Sequence, residues 1–228
     1  MIKHPTPLIG IGILLLVLIA GCVNDNVPPA REIHLHADFA VFMDGVKLNF
    51  AQAKYMTTEE NEPSKAVHLH DMDGNVMHVH AANVTFGMFL ESMGMKLETR
   101  DAENGIGQEI CFTDDAGNET CYPRFGCYEV EKGQSICVDP ILSAQSWRLF
   151  VNGEPLSENM KIEDYVMKDL DQLLLTNIAF DGDLETQLAA VTDTACIQSE
   201  KCPERGSPSD ESSCAGSGDC GVGVILTS

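Results

Sequence analysis

The chain has 228 residues, and its 35 acidic side chains outnumber the 14 basic ones, which gives a formal net charge of −21 at pH 7. Such an acidic balance excludes nucleic acid as an expected partner, because phosphate backbones repel it, and it favours the attraction of cations. The length suits one domain with additional segments.

The first 21 residues form a predicted signal peptide. Lys3 provides a positive n-region, and residues 8–20 are an unbroken apolar run, too short to span a bilayer comfortably but suited to an h-region. The run ends in Ile19-Ala20-Gly21-Cys22, which resembles the cleavage box of bacterial and archaeal lipoproteins. The resemblance implies that Cys22 becomes a lipidated N-terminus on the outer face of the cell membrane. An uncleaved anchor helix is the alternative, and it also places the rest of the chain outside the cytoplasm.

Beyond the signal peptide the sequence divides into three regions. Residues 22–32, with their Asn, Asp and Pro-Pro, predict a lipid-anchored linker. Residues 33–180 predict a His-rich domain, and residues 181–228 an acidic tail rich in Cys, Gly and Ser, packed on or beside that domain. Within the domain, a helix is expected between Thr85 as N-cap and Gly94 as terminator. Strands are predicted over 33–43, 46–50, 66–70, 76–81, 146–151 and 170–178.

The nine cysteines fit a disulfide framework once Cys22 is assigned to the lipid. The other eight form four pairs along the chain, two with a separation of ten residues and two with a separation of six: Cys111 and Cys121, Cys127 and Cys137, Cys196 and Cys202, Cys214 and Cys220. We expect 109–139 to be an insertion of two hairpins, each closed by a disulfide that stabilises it by about 2–4 kcal/mol. Disulfides persist in oxidising compartments, in agreement with export. Whether every pairing is local stays open, and the four C-terminal cysteines could bind soft metals if reduced.

Three local motifs in the domain resemble the transcobalamin C-terminal-like β-grasp family. They are Val84-Thr85 leading a helix that contains Leu90 and Gly94, the sequence Leu-Phe-Val-Asn-Gly over 149–153, and the final strand over 171–178. The resemblance implies an α+β fold, namely a β-grasp-like mixed sheet with one main helix. The disulfide-closed hairpin insertion and the cysteine-rich C-terminal tail are additions to it. Because these motifs concern packing and turns, they imply a fold and no functional site.

Six of the seven histidines occur in His-x-His pairs, and the seventh, His4, lies in the predicted signal peptide. Residues i and i+2 of a strand point to the same face, and the residues between these histidines are apolar. Each strand is therefore expected to turn an apolar face to the core and a histidine face away from it. The pairs are His34/His36, His68/His70 and His78/His80.

The second and third pairs are expected to share one face of a β-hairpin. With Asp73-Gly74-Asn75 as a three-residue loop, His70 lies opposite His78, and His68 lies opposite His80. A two-residue turn would put the pairs on opposite faces, which the apolar alternation excludes.

His34 and His36 join this face if their strand neighbours the hairpin. Asp38 continues the same face two residues further on, and Asp71 directly follows His70. Both carboxylates are candidates for orienting a ligating imidazole by hydrogen bonding, as carboxylates do in many metal sites.

Six convergent imidazoles predict a site for a copper or zinc ion. Neutral imidazole suits both metals, and the Irving–Williams order favours copper over zinc. Met43, Met72, Met77 and Met88 lie near these strands; core packing is the expected role for them, and ligation of Cu(I) by their thioethers is the alternative. The alternative for the histidines is a polar or pH-sensitive strand face.

Three functions follow as hypotheses. The first is an exported, lipid-anchored protein that captures, stores or presents metal at the cell surface, with the metal ion and the membrane as its partners. The second is an extracytoplasmic metalloenzyme in which Asp38, Asp71 or Glu91 acts as a base, although no hydrolase or oxidase signature accompanies the histidines. The third is a surface protein-interaction module with a pH-sensitive histidine face.

Overall fold

The structure, a computed structural model, describes residues 33–58, 61–102, 107–124, 126–131, 134–138, 145–178 and 183–208, with the backbone alone for 126–131 and 134–138. The predicted signal peptide over 1–21, the predicted linker over 22–32 with Cys22, and Cys214 with Cys220 lie outside the described residues. Every helix in the described part of the chain is too short or too polar to cross a bilayer.

The described residues form twelve β-strands and three short α-helices, so the protein is a mixed α+β fold built mainly of sheet, as predicted. The strands are β1 (Leu35–Met43), β2 (Val46–Lys47), β3 (Val67–His68), β4 (Val76–Val79), β5 (Lys96–Asp101), β6 (Gln108–Thr113), β7 (Glu119–Pro123), β8 (Gly126–Glu131), β9 (Gln134–Val138), β10 (Arg148–Val151), β11 (Glu154–Pro155) and β12 (Gln172–Thr176). The helices are α1 (Phe86–Ser92), α2 (Leu184–Ala189) and α3 (Ala195–Gln198). Single 3₁₀ turns cover Ala53–Tyr55, Ile162–Asp164 and Pro203–Arg205.

The centre of the main sheet is the parallel pair β1 and β12. The strand order is β11-β10-β12-β1-β4-β3, and β2 forms a hairpin with β1. Asp38 lies opposite Gln172 at one end of the parallel pair, and Phe42 lies opposite Thr176 at the other. On its other edge β1 pairs antiparallel with β4, which in turn pairs with β3. The three histidine-bearing strands are therefore neighbours.

One face of this sheet carries the hydrophobic core. Helix α1 covers this face. The Thr85 side chain caps the start of the helix by accepting the Met88 N–H, and Gly94 ends the helix at φ +76°, as the sequence predicts. Burial of each large apolar side chain stabilises the fold by about 1.5–3 kcal/mol. The largest fully buried core side chains include Phe39, Leu69, Met77, Phe86, Phe89, Leu90, Phe112, Trp147, Leu149, Leu173 and Leu175.

The predicted insertion forms two hairpins. Strands β6 and β7 pair with Cys111 opposite Cys121, and a disulfide joins these residues. Strands β8 and β9 pair with Cys127 opposite Cys137, as expected for the second hairpin. Strand β5, which pairs along the whole of β6, was not predicted, because its residues are mostly polar.

The described part of the tail packs on the second face of the main sheet. Leu184 and Leu188 of α2 contact a small cluster made of Ala40, Phe42, Phe150 and Leu174. A disulfide joins Cys196 to Cys202, as predicted, and encloses the end of α3. Helices α2 and α3 were not predicted. The two described disulfides are typical of proteins from oxidising compartments.

Candidate metal centre

His78 lies at the middle of a row of imidazoles that crosses three strands. On one side the backbone register places it opposite His36 of β1, and on the other side opposite His68 of β3. Even-numbered residues of these strands point away from the core, while their odd-numbered neighbours Ala37, Val67 and Met77 are buried in it. The predicted division into an apolar face and a histidine face is therefore confirmed.

The register of the β3–β4 hairpin differs from the prediction by two residues. His68 lies opposite His78 rather than His80. Asp71 and Met72 form the turn in left-handed conformation, at φ 55° and 58°, instead of residues 73–75. Gly74 serves a steric purpose, since a Cβ there would lie 2.3 Å from the Ala51 backbone nitrogen. A shift by two residues leaves every side chain on its face.

The six imidazoles form a closed circuit, which we call the histidine cluster. Its members are His34, His36, His78, His70, His68 and His80, in that spatial order. Successive ring centroids are separated by 4.6 Å, 4.6 Å, 3.8 Å, 5.9 Å and 4.9 Å, and 4.7 Å closes the circuit from His80 to His34. The structure therefore brings all six predicted site residues together on one surface.

The histidine cluster has a buried end and an open end. His78 is 1% exposed, and His36, His68 and His70 are also buried. His80 is half-buried, whereas His34 is exposed. This arrangement differs from a solvated polar strand face, because four of the six imidazoles are removed from water.

Two sets of ring nitrogens have separations that suit metal ligation. Ligands of a tetrahedral zinc ion at the usual zinc–nitrogen distance lie roughly 3.3 Å apart. His70 Nε2 is 3.1 Å from His78 Nδ1, which already matches this spacing. One nitrogen of each of His34, His36 and His78 lies within 4.8 Å of the other two, a grouping that could hold a metal ion.

Asp71 orients His70 in the way that the sequence predicts for a partner of a ligand. Its Oδ2 lies 2.9 Å from His70 Nδ1. A carboxylate only accepts hydrogen bonds, so His70 donates from Nδ1, and the Nε2 of the neutral ring accepts the Nδ1–H of His78. The proton between His70 and His78 therefore occupies a position that a metal ion can take.

Asp38 has a different role from the predicted one. Its carboxylate is buried and accepts hydrogen bonds from the Thr192 hydroxyl at 2.5 Å, from the Thr194 hydroxyl and N–H, and from the Ala195 N–H at 2.9 Å. It therefore anchors the start of α3 to the sheet. Glu91, considered as a base, is exposed on α1, which covers the opposite face of the sheet.

Ser199 and Asp169 contact the cluster, and sequence reasoning missed both. Ser199 Oγ lies 2.8 Å from His36 Nδ1, and Asp169 accepts from Ser199 and from the His36 backbone N–H. Burial acts to raise the pKa of Asp169, but hydrogen bonds from Lys201, His36 and Ser199 outweigh it and lower that pKa. The only available signal was the polar Lys168-Asp169 step before the last strand.

The four methionines near the histidine strands are not grouped with the imidazoles. Met77 is fully buried in the core, and Met43 packs against it from β1, so both lie on the opposite face of the sheet. Met88 is exposed on α1, and Met72 is exposed in the β3–β4 turn. For Met77 and Met43, core packing is the role that the structure supports.

Comparisons with known proteins find no match: no family model fits the chain, and no curated protein or solved structure is similar to it.

Proposed function

We propose that this protein is an exported, lipid-anchored metal-binding protein that holds copper or zinc on the histidine cluster and captures, stores or presents the ion at the cell surface. The observation that carries the proposal is the closed circuit of six imidazoles on three adjacent strands. Imidazole nitrogen is a ligand that Cu(II) and Zn(II) both prefer. The net charge of −21 would concentrate cations around the domain.

Burial is the reason for preferring a metal site over a merely polar surface. Clustered, buried imidazoles repel one another when protonated, whereas neutral imidazoles are good metal ligands. Several of these ring nitrogens could bind one metal ion together. The hydrogen bond from His70 to Asp71 supports the same proposal, because ligating imidazoles ordinarily donate their other N–H to a carboxylate or carbonyl.

The export and anchoring part of the proposal is supported by the N-terminal sequence and the disulfides. Ala20-Gly21-Cys22 follows an apolar run of signal-peptide length. The two described disulfides suit an oxidising compartment. A lipid on Cys22 and the linker over 22–32 would hold the domain at the outer face of the cell membrane.

The proposal also includes a β-grasp relationship for the domain. It is supported by the central parallel pair of β1 and β12, with β4 beside β1 and β10 beside β12. Helix α1 lies between β4 and β10 in the chain and packs on one face of the sheet. The motifs over 84–94 and 149–153 also support this part of the proposal.

Calorimetry on the purified, metal-free exported protein tests the metal site. We expect tight binding of Cu(II) or Zn(II) at pH 7.5 and release below about pH 5, because protons compete with the metal for imidazole nitrogens. Elemental analysis of the protein as purified would identify the ion. Binding no tighter than millimolar at pH 7.5 would rule the metal site out, and the polar or pH-sensitive face would replace it.

Mass spectrometry of the exported protein tests the anchor. The wild-type chain is expected to begin at Cys22 and to carry lipid on its sulfur, whereas Cys22→Ser should stay unlipidated and lose stable membrane attachment. Ser64→Ala, a change far from the N-terminus, is the control and should leave lipidation unchanged. An exported wild-type protein that retains Met1 would contradict the lipoprotein assignment and favour an uncleaved anchor.

A metalloenzyme is the second candidate function, and one observation favours it. His34, His36 and His78 form a three-imidazole set at the open end of the cluster, and a metal with three protein ligands keeps a position for water. X-ray absorption spectroscopy of the loaded protein separates the two functions. A saturated nitrogen shell supports a carrier, and an exchangeable water ligand supports an enzyme.

A further inference from the structure

Asp169 joins three parts of the chain beside the histidine cluster. It lies in the turn before β12, and its Oδ1 accepts the His36 backbone N–H at 3.0 Å and the Ser199 hydroxyl at 2.7 Å. Its Oδ2 accepts the Lys201 ammonium group. The carboxylate therefore fixes β1 and the segment after α3 in one position relative to each other.

The proton of Ser199 determines the state of His36. A serine hydroxyl has one proton, and the carboxylate of Asp169 only accepts, so Ser199 donates to Asp169. The contact of 2.8 Å between Ser199 Oγ and His36 Nδ1 must then be a hydrogen bond that the ring donates. A neutral His36 accordingly carries its proton on Nδ1 and its lone pair on Nε2.

The segment that provides Ser199 is held at both ends. At its start, Asp38 binds the Thr194 and Ala195 N–H groups, at 2.9 Å each. At its end, the disulfide from Cys196 to Cys202 closes a loop that contains Ser199. The hydroxyl is thus delivered to His36 by a rigid element, as a precise metal site requires.

We propose that Ser199 and Asp169 are positioning residues of the metal site, which commit Nε2 of His36 to the ion, and that the C-terminal disulfide loop is therefore part of that site. The metal-binding step of this inference rests on the proposed function. The orientation of the ring does not, because it follows from the hydrogen bonds that link His36, Ser199 and Asp169.

Long-range proton–nitrogen NMR of the metal-free protein at pH 7.5 tests the orientation directly. His36 is expected as the Nδ1–H tautomer in the wild type, and this preference should be lost in Ser199→Ala and kept in Ser199→Thr, which retains the hydroxyl. Ser157→Ala, a change of the same kind at an exposed site, is the control. A wild-type His36 protonated on Nε2, or an Nδ1–H tautomer unchanged in Ser199→Ala, overturns the inference.

The second part of the test examines metal binding and uses the same protein variants loaded with zinc. Nitrogen chemical shifts should identify Nε2 of His36 as the ligand, and Ser199→Ala should bind zinc about 10-fold more weakly, the lower end of what loss of an orienting partner costs. Coordination through Nδ1 overturns the inference even if affinity is high. If the wild type binds no zinc, the proposed function fails, while the tautomer measurement still decides the positioning role.

Discussion

Replacement of both His36 and His78 by alanine is expected to weaken Cu(II) or Zn(II) binding by more than about 100-fold. Loss of an orienting partner alone costs 10–100-fold in metal affinity, and these two changes remove ligands themselves. The two rings are 4.6 Å apart and lie opposite each other on β1 and β4. Removing them interrupts the circuit and disrupts the three-imidazole set with His34. Isothermal titration calorimetry at pH 7.5 provides the measurement.

Two features of this experiment separate a histidine site from less specific binding. The double variant keeps every acidic residue, so ions attracted only by the negative surface would still bind. Met72→Leu is the matched control, because it removes an exposed thioether next to Asp71 without touching an imidazole. Unchanged affinity in the double variant would exclude the cluster as the site, and a large loss in Met72→Leu would indicate thioether ligation instead.

Asp38→Ala is expected to lower the free energy of unfolding by about 2–4 kcal/mol. The carboxylate is 1% exposed, and its removal leaves the Thr194 and Ala195 N–H groups without their acceptor. Each unsatisfied buried group costs about 1–3 kcal/mol. Urea denaturation measures the loss, and faster hydrogen exchange at Ala195 would locate it at the start of α3.

Asp183→Ala is the matched control for this prediction. Asp183 caps α2 by accepting the Thr186 N–H at 3.2 Å, but it is exposed. Loss of such a cap typically costs about 1 kcal/mol. If the two variants lost the same small amount of stability, Asp38 would not anchor the tail, and its burial would need another explanation.

The alternation of residue types was sufficient to predict which face of each strand holds the histidines. His68, His70, His78 and His80 share a face because side chains in a strand repeat every two residues. The same periodicity explains why the register was wrong by two residues, since both registers give the same faces. The difference depends on Asp71 and Met72 adopting left-handed conformation, which is uncommon for non-glycine residues.

Contacts between polar residues far apart in the chain could not be predicted. Ser199 and Asp169 stand in segments without periodicity, and nothing in either segment indicates that they meet beside His36. Asp38 was placed on the correct face, but its actual partners, Thr194 and Ala195, belong to a helix that the polar tail did not suggest. Local signals, by contrast, were reliable: the Thr85 cap and the disulfide of the β6–β7 hairpin were both predicted correctly.

The parallel pairing of β1 with β12 has an implication for how the protein matures. The opening strand of the domain gains its central neighbour only when the closing strand has emerged, so the sheet must form by a distant contact, which is intrinsically slow. A chain threaded through a membrane from its N-terminus would therefore complete the translocation of β12 before this sheet assembles. If the proposed export is correct, the histidine cluster would then acquire its final surroundings, and any ion, outside the cell.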